Sequence, residues 1–555
     1  MDLLHRYLTP AEVFGAFPGA EEPLAWLRAA DQESVLREVA FWLGKFDESG
    51  LNGWKQIERD WVSETILEPH RSRILGLLHG DRILVSTQSL MIAAKRALTV
   101  GRPTANTNTV RLFMAAVSIQ GGLGTDRDPN EPAEARRLRL QAELISNALF
   151  HRRPERGMRV AQSQIRWRDI PGRADVTLPI APAEAFEQVT GVPLIDLQSV
   201  GFSLFAQAME HPGATPTVAA IAAFVHWEPE RLERALSLIS ATVEDIAALI
   251  RRDERTYGED WSFDALRQFP VLRLSEDRLL VLSPHLILER TLGWLPFLDM
   301  TQPEGGGNEV RAIARHAKTA FETICEREVI ESLAANVAGG REHGRLFDEA
   351  TLRATYPAGQ IADAAIAYRD EWLVVEVSSG QLRRGTVVGG LTTTLDADLE
   401  RLIDKKVDQI VSTIAHIRDD PGRLSGDERR RRRFVPVLVN AEGIPLNPIT
   451  HITIADRVAA AGRLAGADVE PLHILDTEDL YVAEALVETD RIGLNKLLRQ
   501  HRRAGLMRRV DLRAWLAMAG RGRRAWPERL RPQLDMAVDL ITDNLGIDRE
   551  AAEEA

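Results

Sequence analysis

Residues 359–380 read GQIADAAIAYRDEWLVVEVSSG, two apolar runs joined by a polar turn over Arg369–Glu371. Trp372 to Val377 are strand formers apart from Glu376, and the run before the turn carries one acid, Asp363. The pattern predicts a β-hairpin. With the turn centred on Asp370, Asp363 falls opposite residue 376 or 377, and a half-residue shift of the turn puts the two carboxylates on one face with Cβ atoms about 5 Å apart. Like charges that close raise each other's pKa unless a cation lies between them. An all-oxygen donor set suits Mg²⁺ or Mn²⁺. The plainer alternative is a surface hairpin with an acid on each strand. Apolar residues on both faces of 372–377 argue against it.

The hairpin sits inside an alternating stretch from about residue 308 to 490. VRAIARHAKTAFETICEREVIESLAANV precedes it with helical periodicity, and LDADLERLIDKKVDQIVSTIAHIRD follows it in the same way. RFVPVLVN and EPLHILD read as further strands, and TEDLYVAEALV reads as a helix. Such alternation predicts a three-layer α/β domain.

These residues resemble the PD-(D/E)XK nuclease superfamily, the fold of many restriction endonucleases and RecB-like nucleases. The resemblance covers residues 308–490 and rests on Asp363, Glu376, the hairpin between them and the flanking helices. It implies a metal held by Asp363, Glu376 and the backbone carbonyl of Val377. It also implies a lysine two residues after the Glu, where this chain has Ser378. Some members of the superfamily carry that lysine on the following helix, and RecB-like members carry a functional glutamine there. Lys405 or Lys406, with Gln409, fill those roles, and Glu322 matches the acidic position often found on the first helix. The chain has seven lysines against 62 arginines, so two adjacent lysines there suggest a requirement for a compact ammonium. The alternative is two neighbouring surface lysines with no common task. The resemblance implies cleavage of DNA in bacterial defence or repair. The competing expectation is a degenerate nuclease fold that binds nucleic acid or a partner protein without cutting.

At 555 residues the chain calls for about two to four domains. The expected organisation is multidomain α plus α/β: a mainly helical segment 1–210, a helical and hairpin connector 211–302, the nuclease-like domain 308–490, and a basic helical extension 491–555. GRPTANTNT, QGGLGTDRDPNEP and PEGGGNE read as loops, and AEARRLRLQAELISNALF as a helix. TPTVAAIAAFVHWEPERLERALSLIS suggests two short helices, loosely like a helix-turn-helix but more often simple core packing. VLRLSEDRLLVLSP reads as a hairpin.

A single cysteine, Cys325, excludes an intramolecular disulfide and suits a reducing compartment. Met1–Pro10 lacks the pattern of a secretory signal, and no window of about 18 apolar residues exists, so the expected setting is the cytoplasm, with no membrane partner. The net charge of −12 argues against wholesale coating of nucleic acid. A local exception runs from Leu494 to Pro532, where twelve cations face only Asp511 and Glu528. Arg502, Arg503, Arg508, Arg509, Arg523 and Arg524 are its candidate phosphate contacts, with Trp515 and Trp526 interleaved. The plainer reading is a face that pairs with acidic residues elsewhere in the chain, which would favour a structural subunit. The run Arg429–Arg433 reads as an exposed loop before a strand. A serine hydrolase centred on Ser378 or Ser379 lacks a Gly-x-Ser-x-Gly elbow, and no zinc-ligand spacing occurs. The expected partner is nucleic acid, DNA first, with a protein partner or homo-oligomer left open.

Overall fold

The computed structural model describes residues 6–15, 22–79, 82–100, 109–122, 132, 133, 136, 144, 155–258, 262–302, 307–383, 386, 392–426, 432–442, 444, 447–520 and 526–547. Most of GRPTANTNT and QGGLGTDRDPNEP, most of the helical pattern at 133–150, residues 303–306 of PEGGGNE and Arg429–Arg431 lie outside them. The chain is mostly helical with small mixed sheets, a multidomain α/β arrangement. It divides into two discontinuous compact units. The first comprises Met1–Arg136, Thr190–Asp299 and Asp539–Ala555, and the second Arg137–Val189 and Met300–Val538. Residues 155–189, inside the helical segment 1–210 expected from sequence, therefore belong to the same unit as the α/β part of the chain.

In the first unit, Val271–Arg273 pairs antiparallel with Leu279–Val281, forming the hairpin around SEDR, and parallel with Ser240–Thr242. Val218–Val225 and Pro229–Ser237 form the two short helices. The second exposes Glu228, Glu230 and Glu233 against Arg234, a charge that repels a phosphate backbone. Its apolar side, Leu232, Ala235 and Leu236, is buried. This pair is core packing.

The second unit carries the acidic hairpin. Its elements, in chain order, are α1 (Arg156–Gln164, continued by a π turn Ile165–Asp169), α2 (Asn308–Gly339), β1 (Arg345–Asp348), α3 (Glu349–Thr355), β2 (Ala364–Ala367) and β3 (Glu371–Ser378). They continue with α4 (Thr392–Leu399), a π turn Glu400–Asp404, α5 (Lys405–Asp419), β4 (Arg433–Asn440), α6 (Pro448–Ala460), β5 (His473–Asp476), α7 (Thr477–Asp490), α8 (Leu494–Arg502) and α9 (Leu512–Met518). The sheet order is β5-β4-β3-β2-β1. β2 runs antiparallel to both of its neighbours, β1 and β3, and β4 and β5 run parallel to β3. The short, half-exposed edge strand β1 and helix α3 are additions to the elements expected from sequence. Four residues with alternate exposure carry too little periodicity to announce a strand.

Helices cover both faces, so the strands are buried through and through. On one face Leu373, Val375, Val377, Val435, Val437 and Val439 pack with Ile324, Val329 and Leu333 of α2 and with α7. On the other, Trp372 and Val374 pack on Ile410, Ile414 and Ile417 of α5. Leu438 and Ile474 continue that face under α4 and α6. Glu376 and Ser378 project onto this second face by the period of two.

Candidate active site

The hairpin register pairs Ala364 with Val375, so the next position outward sets Asp363 against Glu376. At that rung the ladder changes partner. The Val377 N–H donates to Asp363 Oδ2 at 2.6 Å instead of to a β2 carbonyl. Because N–H and C=O of one strand residue point to the same side, the Val377 carbonyl faces the Asp363 side as well. Ser378, one residue on, turns the other way, its carbonyl accepting from Ala441 N at 2.8 Å. Helix α5 secures the strand entry, since the Ala362 N–H donates to Thr413 Oγ1 at 2.7 Å.

Glu376 is fully buried. Its Oε1 accepts from Lys406 Nζ at 2.6 Å, and its Oε2 makes no hydrogen bond. Of the two adjacent lysines, Lys406 thus faces the carboxylates while Lys405 faces solvent. The π turn Glu400–Asp404 immediately before them helps decide this. One extra residue in a helical turn rotates every later position by about 100° relative to a plain α-helix. Arg457 of α6 donates to Asp404 Oδ2 at 2.7 Å, and Arg463 pairs with Asp408 at 2.6 Å, so this edge of the helix is pinned outward. The turn also packs closely on the exit of β3. A Cβ at Gly380 would lie 2.5 Å from Leu402 Cδ2, so a larger residue there would push the Leu402 side chain aside.

The local field is strongly acidic. Burial, and next the neighbouring Asp363 charge, push the Glu376 carboxyl up to about 8, with Lys406 working against both. Burial raises Asp363 also, opposed by Lys406 and by the Val377 N–H. Glu326 of α2 is pushed up to about 7, first by burial and then by Asp363, Glu349 and, less strongly, Glu322. Burial alone would depress the Lys406 ammonium, but Glu376, Asp363 and Glu326 outweigh it and raise its pKa. Glu376, Asp363 and Glu326 thus act on one ammonium, and Glu349 adds its charge to that felt by Asp363 and Glu326. Among the described residues no three His, Cys, Asp or Glu side chains converge into a ready-made ligand set. A cation would therefore draw on Asp363, Glu376, a main-chain oxygen and water, hard donors of the kind Mg²⁺ and Mn²⁺ take.

Glu322, singled out from sequence, lies half-buried one helical turn before Glu326, and it is Glu326 that adjoins the pair. Gln409, three residues past Lys406, is half-buried on the same helix face. Sequence reading also missed a buried polar knot on the opposite face of the sheet. There Glu328 accepts from Arg166 Nε at 2.6 Å, Gln162 Nε2 at 3.2 Å and the Tyr481 hydroxyl. Arg166 Nη2 donates to Ala441 O at 3.1 Å, which ties α1 to the strand end beside Ser378.

The basic extension splits into two populations. Arg499 meets Glu371 at 2.9 Å, Arg513 is clasped by Asp476, Glu478 and Asp479, and Arg529 makes a two-pronged pair with Glu484 at 2.6 and 3.0 Å. Arg502 lies 3.5 Å from Glu470. These arginines brace the fold, and Leu497, Leu498, Leu512, Leu516 and Leu530 join the core of the sheet. Arg503 and Arg508 are exposed and Arg509 half-exposed, with no ion pair among the described residues, while Arg523 and Arg524 lie outside those residues. Arg432, within the arginine run read as an exposed loop, is instead buried, 5.5 Å from the Trp372 ring centroid.

The chain matches no protein-family model, no curated protein and no solved structure. No single described helix is long and apolar enough to cross a membrane.

Proposed function

We propose that the protein is a metal-dependent phosphodiesterase acting on DNA, its second unit built on the PD-(D/E)XK plan. One observation carries this reading: the Lys406 ammonium reaches the Asp363–Glu376 pair from the helix after the hairpin, supplying the charge that Ser378 lacks. The buried, unbonded Glu376 Oε2 and the Val377 carbonyl on the same side support a cation there. Asp363, Glu376 and Val377 would hold Mg²⁺ or Mn²⁺, which supplies charge neutralisation at the phosphate and an acidified water. The chain's own part is separate. Lys406 sets a fixed positive charge beside the reacting phosphate in a half-buried site, where it is worth more than in water. Gln409 extends the same helix face toward the substrate. Glu326 holds or releases a proton close to neutral pH, within the range useful for acid–base work.

A second reading has its own support. Lys406 already satisfies one Glu376 oxygen, as it would in a retired site where a salt bridge has replaced the metal. Incubating the purified protein with Mg²⁺ or Mn²⁺ and either plasmid or single-stranded DNA separates the two. Nicking or degradation that stops on chelation is expected. Intact DNA under every metal condition, with Mn²⁺ binding also absent by calorimetry, would leave the salt-bridge reading standing.

The exposed arginines give a further prediction. Arg503→Gln, Arg508→Gln and Arg509→Gln should each flatten the log–log salt dependence of DNA binding by roughly one unit for every phosphate no longer neutralised. Truncation at about residue 495 cannot serve as this test, because it strips Leu497, Leu512 and Leu516 from the core. Salt slopes that stay at the wild-type value in all three variants would remove this surface from the DNA interface.

A further inference from the structure

Beside β5, at the outer edge of the sheet, lies a polar cluster that the carboxylate site does not use. His473 opens β5, is nine-tenths buried, and its Nε2 makes no hydrogen bond. The His501 ring of α8 lies 6.3 Å away and sits 5.2 Å from Trp515 of α9. His501 Nε2 contacts Met507 O at 3.1 Å, in the 3₁₀ turn Gly505–Arg509 that joins α8 to α9 and packs against α6. Half-buried His451 stands in the first turn of α6, where the helix end adds positive potential. Arg508, exposed, and Arg509, half-exposed, lie in that same 3₁₀ turn packed on α6, and neither is neutralised by an acid among the described residues. The nearby acids are committed elsewhere: Glu470 to Arg433 and Arg502, and Asp511 to the start of α9. Burial, then Arg508, Arg509 and His501, hold the His451 imidazole below its ordinary value. His473 is pushed down to about 3 by burial and then by His501, Arg502 and His451. Among the described residues, every charged or titratable neighbour that acts on these two rings is basic.

We propose that this edge is a phosphate-binding site, with Arg508 and Arg509 taking the oxyanion, His451 donating beside them and His473 lining the floor. The phosphate is assigned to a nucleic-acid strand, a step that rests on the DNA reading of the carboxylate site. His473 pairs with Val437, which pairs with Val375, so its side chain projects onto the sheet face opposite Glu376, and the cluster stands at the sheet edge two strands from β3 as a contact separate from the carboxylates.

The test uses the full chain with divalent cations removed, so that nothing is cut. Histidine ring resonances are followed by NMR while inorganic phosphate is added, in wild type and in Arg508→Gln/Arg509→Gln, two surface changes that leave the core untouched. Phosphate should shift His451, raise its pKa, and bind at least about tenfold more weakly to the double variant. No shift of His451, or an equal shift in the variant, overturns the site. Three further ligands identify the source: an oligonucleotide with a 5′-phosphate, the same strand with a 5′-hydroxyl, and an acidic peptide of equal charge. A preference for the 5′-phosphate that the double variant loses assigns a strand end. Equal wild-type binding of both strands, weakened equally in the variant, assigns an internal diester. Oligonucleotide binding that the variant leaves unchanged, or peptide binding as tight as either strand, overturns the nucleic-acid assignment. Repeating the phosphate arm in Glu376→Gln keeps the result independent of the carboxylate site, whose failure would show only in the cleavage assay.

Discussion

Replacing Lys406 with methionine should lower DNA cleavage by about 10²–10³-fold, the usual effect of removing one preorganised charge from a transition state. Methionine keeps an apolar stem of similar reach and removes only the ammonium, so the packing of α5 on β3 survives. Stability at neutral pH should change little. Glu376, already pushed up to about 8 with Lys406 beside it, answers the loss by keeping its proton. Lys405→Met is the internal control. Its side chain faces solvent, and its activity should stay within about twofold of wild type. Comparable losses in both variants, or none in either, would detach the ammonium from the chemistry. Moving the charge back to position 378 is not expected to compensate. Ser378 is 3% exposed and enclosed by its neighbours. A lysine stem there must displace those buried neighbours, at about 1–3 kcal/mol.

The acidic pair was legible because strand period and turn position are local properties. A turn near Asp370 fixes which residues face each other to within one, and the observed register realises the Asp363–Glu376 pairing. The choice between Lys405 and Lys406 was not legible. It depends on a π turn at Glu400–Asp404, and no helical wheel drawn with 3.6 residues per turn contains that phase shift. Glu322 and Glu326 lie on one stripe of α2, so sequence gives the face, while the height of the site along the helix comes from tertiary packing. The basic extension misled for a related reason. Counting charges along Leu494–Pro532 registers Arg499, Arg513 and Arg529, but Glu371, Asp476 and Glu484 come from strands and helices elsewhere in the chain. The α1 segment was hidden by separation too. Arg166 meets Glu328, 162 positions later.

Removing either carboxylate should abolish most Mn²⁺ binding, and the pH dependence should identify the group responsible. In the metal-free protein Glu376 keeps its proton up to about pH 8, so a cation must displace it. Mn²⁺ affinity should therefore climb between about pH 6 and 8, approaching tenfold per pH unit for one released proton, and calorimetry in buffers of different ionisation enthalpy should count that proton. Asp363→Asn and Glu376→Gln should each remove most of the binding signal. Unchanged Mn²⁺ affinity in both would eliminate the site. Metal-free stability supplies an independent sign. The folded-state pKa of Glu376 lies above its ordinary value of 4.5, so the folded protein holds an extra proton between 4.5 and about 8. Its contribution is complete below pH 4.5 and is lost as pH rises through 8. The wild-type melting temperature should fall across that window, and Glu376→Gln should flatten the fall because a neutral amide has no proton to lose. Asp363→Asn keeps an acceptor for the Val377 N–H and relieves the repulsion, so its metal-free melting temperature should match or exceed that of wild type above pH 7. A variant that melts lower there would mean that Asp363 serves the Val377 hydrogen bond and the fold, with no electrostatic strain held for a cation.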